Sequence, residues 1–192
     1  MTDVEKILKD CGAFLQGHFL LSSGKHSDGY VQCAKVLMYP DKAEEILKLA
    51  VDKVKDLDID VVVGPAMGGV VVSYEVARQL KKPSMFTERE NDKMTLRRGF
   101  TVDKGTKVLI TEDVVTTGKS SLEAIEALKP YGVEIVGIAC LANRSGKEKI
   151  NGYKLFPAIN LNINTYDHDS CPLCDQGLDL VKPGSRKVFK YS

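Results

Sequence analysis

Two β-branched runs, Asp60–Val63 and Val108–Thr111, each lead into a glycine-bearing turn and then into apolar residues at helical spacing. A strand followed at once by a helix cannot return beside its neighbour as a hairpin. It needs a crossover, and crossovers build parallel sheets covered by helices. Val70–Leu80 follows the first turn, while Leu122, Ile125 and Leu128 make the inward stripe after the second. Ser84–Thr87 and Val133–Leu141 read as further strands, so the predicted class is α/β with a central, mostly parallel sheet flanked by helices. Ligands in such sheets bind beyond the carboxyl ends of the strands, and both glycine turns, 64–69 and 116–120, leave strands at that edge.

Upstream of this core the pattern changes. A first helix is predicted over 2–11, with Thr2 and Glu5 as a capping box and Gly12 as its stop. Segment 13–35 has strand-like pieces broken by Gly, Ser and Asp, which predicts a hairpin or hood. A second helix opens at Asp41, where Ala43, Ile46, Leu47, Ala50, Val51, Val54 and Leu57 form one stripe. The 192 residues contain no repeat and no linker, so a single domain over 1–192 is expected. Its core spans approximately 40–165, and the hood takes approximately 1–35 plus the C-terminal segment.

A formal net charge of +1 excludes a broad basic surface for nucleic acid. No apolar run approaches the roughly 18 residues of a membrane span, and Met1–Asp10 lacks the apolar stretch of a signal peptide. The five cysteines are odd in number and, except for the last pair, scattered, which suits a reducing compartment; the expected location is the cytoplasm.

Candidate chemistry concentrates in Val108–Ser120. The strand delivers adjacent carboxylates, Glu112 and Asp113. After Val114 and Val115, the loop Thr116-Thr117-Gly118-Lys119-Ser120 opens a helix. Amides at a helix start carry partial positive charge, and the hydroxyls of Thr116, Thr117 and Ser120 add donors, so the loop suits a phosphate monoester. A nucleoside triphosphate loop needs glycine five positions before Gly118, and Asp113 stands there.

This thirteen-residue pattern resembles the phosphoribosyl diphosphate signature of type I phosphoribosyltransferases, and the chain as a whole is most similar to the orotate phosphoribosyltransferases among them. The resemblance covers most of the chain and is strongest at 61–74, 108–120 and 171–186. It implies the type I phosphoribosyltransferase fold with a small N-terminal hood. Glu112 and Asp113 would face the ribose hydroxyls and residues 116–120 would wrap the 5-phosphate, with Val114 and Val115 also in the phosphoribosyl diphosphate site. The turn Gly64-Pro65-Ala66-Met67-Gly68-Gly69 would grip the diphosphate through Ala66, Met67 and Gly68, although many orotate enzymes carry lysine where Gly68 stands. The polar stretch Glu88–Gly99 would be a mobile lid whose Arg89 and Lys93 neutralise the departing diphosphate. Arg97 and Arg98 would compensate for Glu90 and Thr95 at positions where the family carries a cation and a histidine. Lys93, Arg89 and Asp113 are the implied catalytic residues.

Arg144 matches the arginine that meets orotate's carboxylate, with Thr116 and backbone groups of Tyr30 and Val31 as further contacts. Leu21–Val31 resembles the hood over the base, and Lys182-Pro-Gly-Ser-Arg186 agrees. The implied reaction joins orotate to phosphoribosyl diphosphate in de novo pyrimidine synthesis. The implied partners are these two small molecules and a second copy of the chain, and Mg²⁺ would be held through substrate rather than by a protein cage. The same fold also serves purine bases and non-catalytic sensors of phosphoribosyl diphosphate. Cys171-Pro-Leu-Cys174 with His168 supplies one ligand pair where structural zinc usually needs two, so a turn with two packed thiols is expected. No role is assigned to His18 or His26.

Overall fold

The computed structural model describes residues 3–21 and 23–183. Thr2 of the expected capping box, Ser22 of the hood segment and residues 184–186 lie outside them. In chain order the elements are α1 (Asp3–Asp10), β1 (Phe14–Leu20), β2 (His26–Val31), α2 (Ala34–Leu37), α3 (Pro40–Val54), β3 (Val61–Pro65), α4 (Gly68–Leu80), β4 (Ser84–Glu90) and β5 (Lys93–Leu96). There follow β6 (Lys107–Val115), α5 (Lys119–Leu128), β7 (Glu134–Asn143), β8 (Lys149–Ile150), β9 (Tyr153–Asn160), β10 (Thr165–Tyr166), α6 (Pro172–Asp175) and β11 (Leu180–Val181). Two compact units result: Leu37–Leu161, and Met1–Val36 with Asn162–Ser192.

The larger unit is a seven-stranded sheet in the order β5-β4-β3-β6-β7-β9-β8. β4, β3, β6, β7 and β9 pair in parallel, while β5 and β8 are antiparallel additions at the two edges. Val61–Val63, Val108–Ile110 and Ile138–Ala142 are buried throughout, the near-continuous apolar pattern of strands covered on both faces. α3 and α4 pack beside each other on the sheet, and α5 packs on β3, β5 and β6. The chain leaves β3 toward β4 on one side and then crosses to β6 on the other. The strand order therefore reverses between β3 and β6, where doubly wound sheets open their ligand crevice.

Several elements depart from expectation for identifiable reasons. α3 ends at Val54 and leaves Leu57 39% exposed, so the inward stripe stops one turn early. β6 runs past Thr111 to Val115 and carries the acidic pair inside the strand, with Glu112 opposite Cys140 of β7. The polar stretch 88–99 is no structureless loop. Much of it is a β-hairpin in which Glu90 pairs with Lys93 across a two-residue turn. Asn91 and Asp92 have φ of 49° and 62°, the left-handed values of hairpin turns, and Met94 and Leu96 bury one face of β5.

The smaller unit joins the two ends of the chain in one sheet, β10-β2-β1-β11. β1 and β2 form the expected hairpin. β10 is antiparallel to β2, and β11 is parallel to β1.

Candidate active site

The turn after β3 owes its form to glycine. A Cβ on Gly64 would lie 2.0 Å from the Gly69 carbonyl oxygen, and one on Gly69 would lie 2.7 Å from Pro65 Cδ. Neither position has room for a side chain. The Ala66–Met67 peptide is cis, and the Ala66 amide donates to the Thr87 carbonyl at 2.7 Å. Beneath the turn, buried Thr111 of β6 donates to the carbonyls of Gly69 and Val63, each at 3.4 Å, stitching the turn to the strand that bears the acids.

Those acids stand directly beside it. A Cβ on Gly68 would come within 2.3 Å of Asp113 Oδ2. Asp113 is half-buried, and its Oδ1 accepts the Val114 amide at 2.7 Å, which fixes the carboxylate's direction. Glu112 is more enclosed than expected: it is only 7% exposed, and its Oε1 accepts the Asp113 amide at 3.2 Å. Burial, then the charge of Asp113 and a side-chain hydrogen bond with it, push the Glu112 carboxyl up to about 9. Two carboxyl groups held side by side offer oxygen donors suited to a diol or to a hard cation such as Mg²⁺.

Past Val115 the loop meets α5. Gly118 has φ 77°, and a Cβ there would sit 2.4 Å from Ile150 Cγ2, so both conformation and packing demand glycine. Thr116, Thr117 and Lys119 are exposed and Ser120 is half-buried; the Lys119 amide donates to Thr117 Oγ1 at 3.3 Å. Exposed hydroxyls and the amides that open α5 lie together at the helix N-terminus, a setting that accepts a phosphate dianion.

The hairpin flanks this loop. Lys93, Asp92, Thr117, Lys119, Leu122 and Glu123 line a cleft of about 600 Å³. Arg89 is drawn aside, its guanidinium paired with Glu123 of α5 and donating to the Asp92 carbonyl at 3.1 Å. Arg97 and Arg98, expected to compensate for missing lid cations, are neutralised within the hairpin: Arg98 forks onto Glu88 at 2.7 and 2.9 Å, and Arg97 reaches Glu90 at 3.2 Å.

Arg144 follows β7, and its amide donates to the Val115 carbonyl at 2.8 Å, which sets it beside the phosphate loop. Asn143 is a residue that sequence reasoning missed. Its Oδ1 accepts from the Ser145 amide at 2.9 Å and the Ser145 hydroxyl at 2.7 Å, while its Nδ2 donates to the Lys147 carbonyl at 3.0 Å. An Asn at a strand end, two residues before Ser, is the signal that could have revealed this turn. Tyr30 and Val31 lie in β2 of the smaller unit, opposite Leu15 and Phe14 of β1.

The family described as "Phosphoribosyl transferase domain" matches residues 36–170. The orotate phosphoribosyltransferase of Caldicellulosiruptor saccharolyticus is 55% identical over 183 residues, 95% of this chain and 96% of its own. The crystal structure of orotate phosphoribosyltransferase from Aeropyrum pernix superposes with a TM-score of 0.68 at 26% identity, covering 82% of this chain and 93% of that one. The Mycobacterium tuberculosis orotate phosphoribosyltransferase, in complex with inorganic phosphate, shares the fold with a TM-score of 0.66 at 24% identity, covering 83% of this chain and 94% of that one. The matched region takes in β3, β6 and the turns that leave them, so the chain belongs to the phosphoribosyltransferase family.

Proposed function

We propose that the protein is an orotate phosphoribosyltransferase of de novo pyrimidine synthesis. The bond from the anomeric carbon of phosphoribosyl diphosphate to its diphosphate oxygen breaks. A bond from that carbon to N1 of orotate forms with inversion, and the N1 proton is lost. The observation that carries this reading is the contact of Gly68 with Asp113. A turn suited to diphosphate lies against an acid suited to the ribose diol, as the two sides of the breaking bond require.

In this scheme Ala66, Met67 and Gly68 offer backbone to the diphosphate, Glu112 and Asp113 accept from the ribose hydroxyls, and residues 116–120 enclose the 5-phosphate. Arg144 meets orotate's carboxylate with its planar guanidinium, and Thr116 adds a further base contact. Lys93 and Arg89 balance the charge that gathers on the leaving diphosphate; Arg89 must first leave Glu123. Mg²⁺, carried on substrate oxygens facing Asp113 and Glu112, would supply further neutralisation of the diphosphate. Catalysis is positioning and electrostatic stabilisation of an oxocarbenium-like state, with no covalent nucleophile.

Met67, Val71 and Tyr74 are 85%, 46% and 67% exposed at helical spacing, an apolar stripe that supports a homodimer. Five free cysteines support a cytoplasmic location. The test is initial-rate turnover of orotate, adenine and xanthine with phosphoribosyl diphosphate and Mg²⁺. Consumption of orotate alone supports the proposal; preference for a purine overturns it.

A further inference from the structure

His18, His26, Cys171 and Cys174 come from opposite ends of the chain and meet in the smaller unit. One ligand-capable atom from each lies within 4.8 Å of all the others. His18 Nε2 is 2.8 Å from His26 Nδ1. Cys171 Sγ and Cys174 Sγ are 3.6 and 3.8 Å from His18 Nε2, and Cys174 Sγ is 3.3 Å from His26 Nδ1. A tetrahedral zinc with ordinary Zn–N and Zn–S bonds would set its ligands about 3.3 Å apart for two nitrogens and about 3.6 Å apart for nitrogen and sulfur. The three nitrogen–sulfur separations lie within about 0.3 Å of their value and the nitrogen–nitrogen separation about 0.5 Å below its own. We propose that these residues form a structural zinc site that ties the two ends of the chain together.

The surroundings favour a closed metal site over a chance cluster. His18, His26 and Cys171 are 4%, 2% and 1% exposed, so water does not serve these groups freely. His18 Nδ1 lies 2.8 Å from the Leu178 carbonyl; donation there leaves the Nε2 lone pair for a metal and fixes the ring's direction. His168, the histidine nearest to the cysteines in sequence, is not a ligand: its side chain is exposed and bonds to Asp169.

Topology explains what the metal would do. β11 pairs with β1 at His18, and β10 pairs with β2 at His26, so the two histidines mark the places where the C-terminal strands join the hairpin. Between β10 and β11 the chain crosses the sheet from one edge to the other, carrying both cysteines. Among residues 162–183, Cys171 is the one buried residue, so this crossing has almost no apolar core of its own. Small units with little core are commonly held by a metal or disulfides. Closed donor sets of two imidazoles and two thiolates select zinc over Mg²⁺.

The experiment uses the full chain, purified without chelator, with metal content measured by plasma mass spectrometry. About one zinc per chain is expected, falling more than tenfold in Cys171→Ser and in Cys174→Ser. Replacement by Co²⁺ should give the visible bands of tetrahedral cobalt and a thiolate charge-transfer band sized for two sulfurs. That readout on the unmutated protein decides the matter even where a variant fails to fold. Absence of zinc with no cobalt spectrum on add-back, zinc retained in both variants, or a Cys171–Cys174 disulfide in freshly purified protein overturns the proposal.

Discussion

Gly68 rests against Asp113 so closely that one added methyl group would lie 2.3 Å from the Asp113 carboxylate. The acid cannot easily retreat, because its other oxygen holds the Val114 amide at 2.7 Å. With Asp113 in this place, a side chain at 68 has no room.

Gly68→Ala should therefore act through Asp113. The expected result is a fall in kcat/KM for phosphoribosyl diphosphate of about tenfold or more, equivalent to about 1.4 kcal/mol per decade. The KM for orotate should change little. Steady-state kinetics with each substrate varied in turn check this, and an unchanged kcat/KM would mean that Asp113 moves aside at no cost.

Glu112 predicts a stability that falls as pH rises. Its carboxyl is held up to about 9 in the folded protein, against an ordinary value of 4.5. Between those values the unfolded chain releases a proton that the folded chain keeps. The stabilisation is therefore complete below about 4.5 and is lost as pH rises toward about 9. Glu112→Gln should remove this dependence and stabilise the protein at pH 8 by about 2–4 kcal/mol while lowering turnover. Urea unfolding of both proteins at pH 5, 7 and 8.5 is the check; parallel curves would contradict it.

Lys93→Ala should depress kcat by roughly 10²–10³-fold with a much smaller effect on KM, because its charge is used as diphosphate departs. Glu123→Gln makes a companion case. It releases Arg89 from its ion pair and should leave kcat unchanged or raised. Pre-steady-state kinetics separate this from altered product release.

Gly118→Ala tests the phosphate loop. A left-handed φ of 77° and a Cβ position 2.4 Å from Ile150 Cγ2 both oppose alanine. The conformation alone costs about 1–2 kcal/mol. Ile150→Ala in the same chain should restore part of the loss, which a double-mutant cycle in thermal unfolding measures.

Much of the α/β core was legible because its signals are local. Val61–Val63 and Val108–Ile110 are β-branched and aliphatic runs bounded by glycine turns, and the acidic pair and phosphate loop follow one of them directly. The hairpin Ser84–Leu96 was hidden because its turn, Asn91-Asp92, sits among charges and only Met94 and Leu96 alternate inward. β9 escaped notice because Pro157 interrupts its apolar run. Proline is tolerated there because β8 covers only the start of that strand. The enclosure of Glu112 and the meeting of His18 with Cys174 depend on tertiary packing, and no spacing along the chain encodes them.

The account stands on the Gly64–Gly69 turn, the acidic pair against it and the loop at Gly118 acting together as one binding site. Calorimetric titration of phosphoribosyl diphosphate with Mg²⁺ into the wild-type protein and into Asp113→Asn tests this most directly. The predicted result is one site per chain in the wild type, weakened about tenfold or more in the variant, at 1.5–3 kcal/mol per charged hydrogen bond. Equal affinity in the two proteins, or no binding to either, would contradict it.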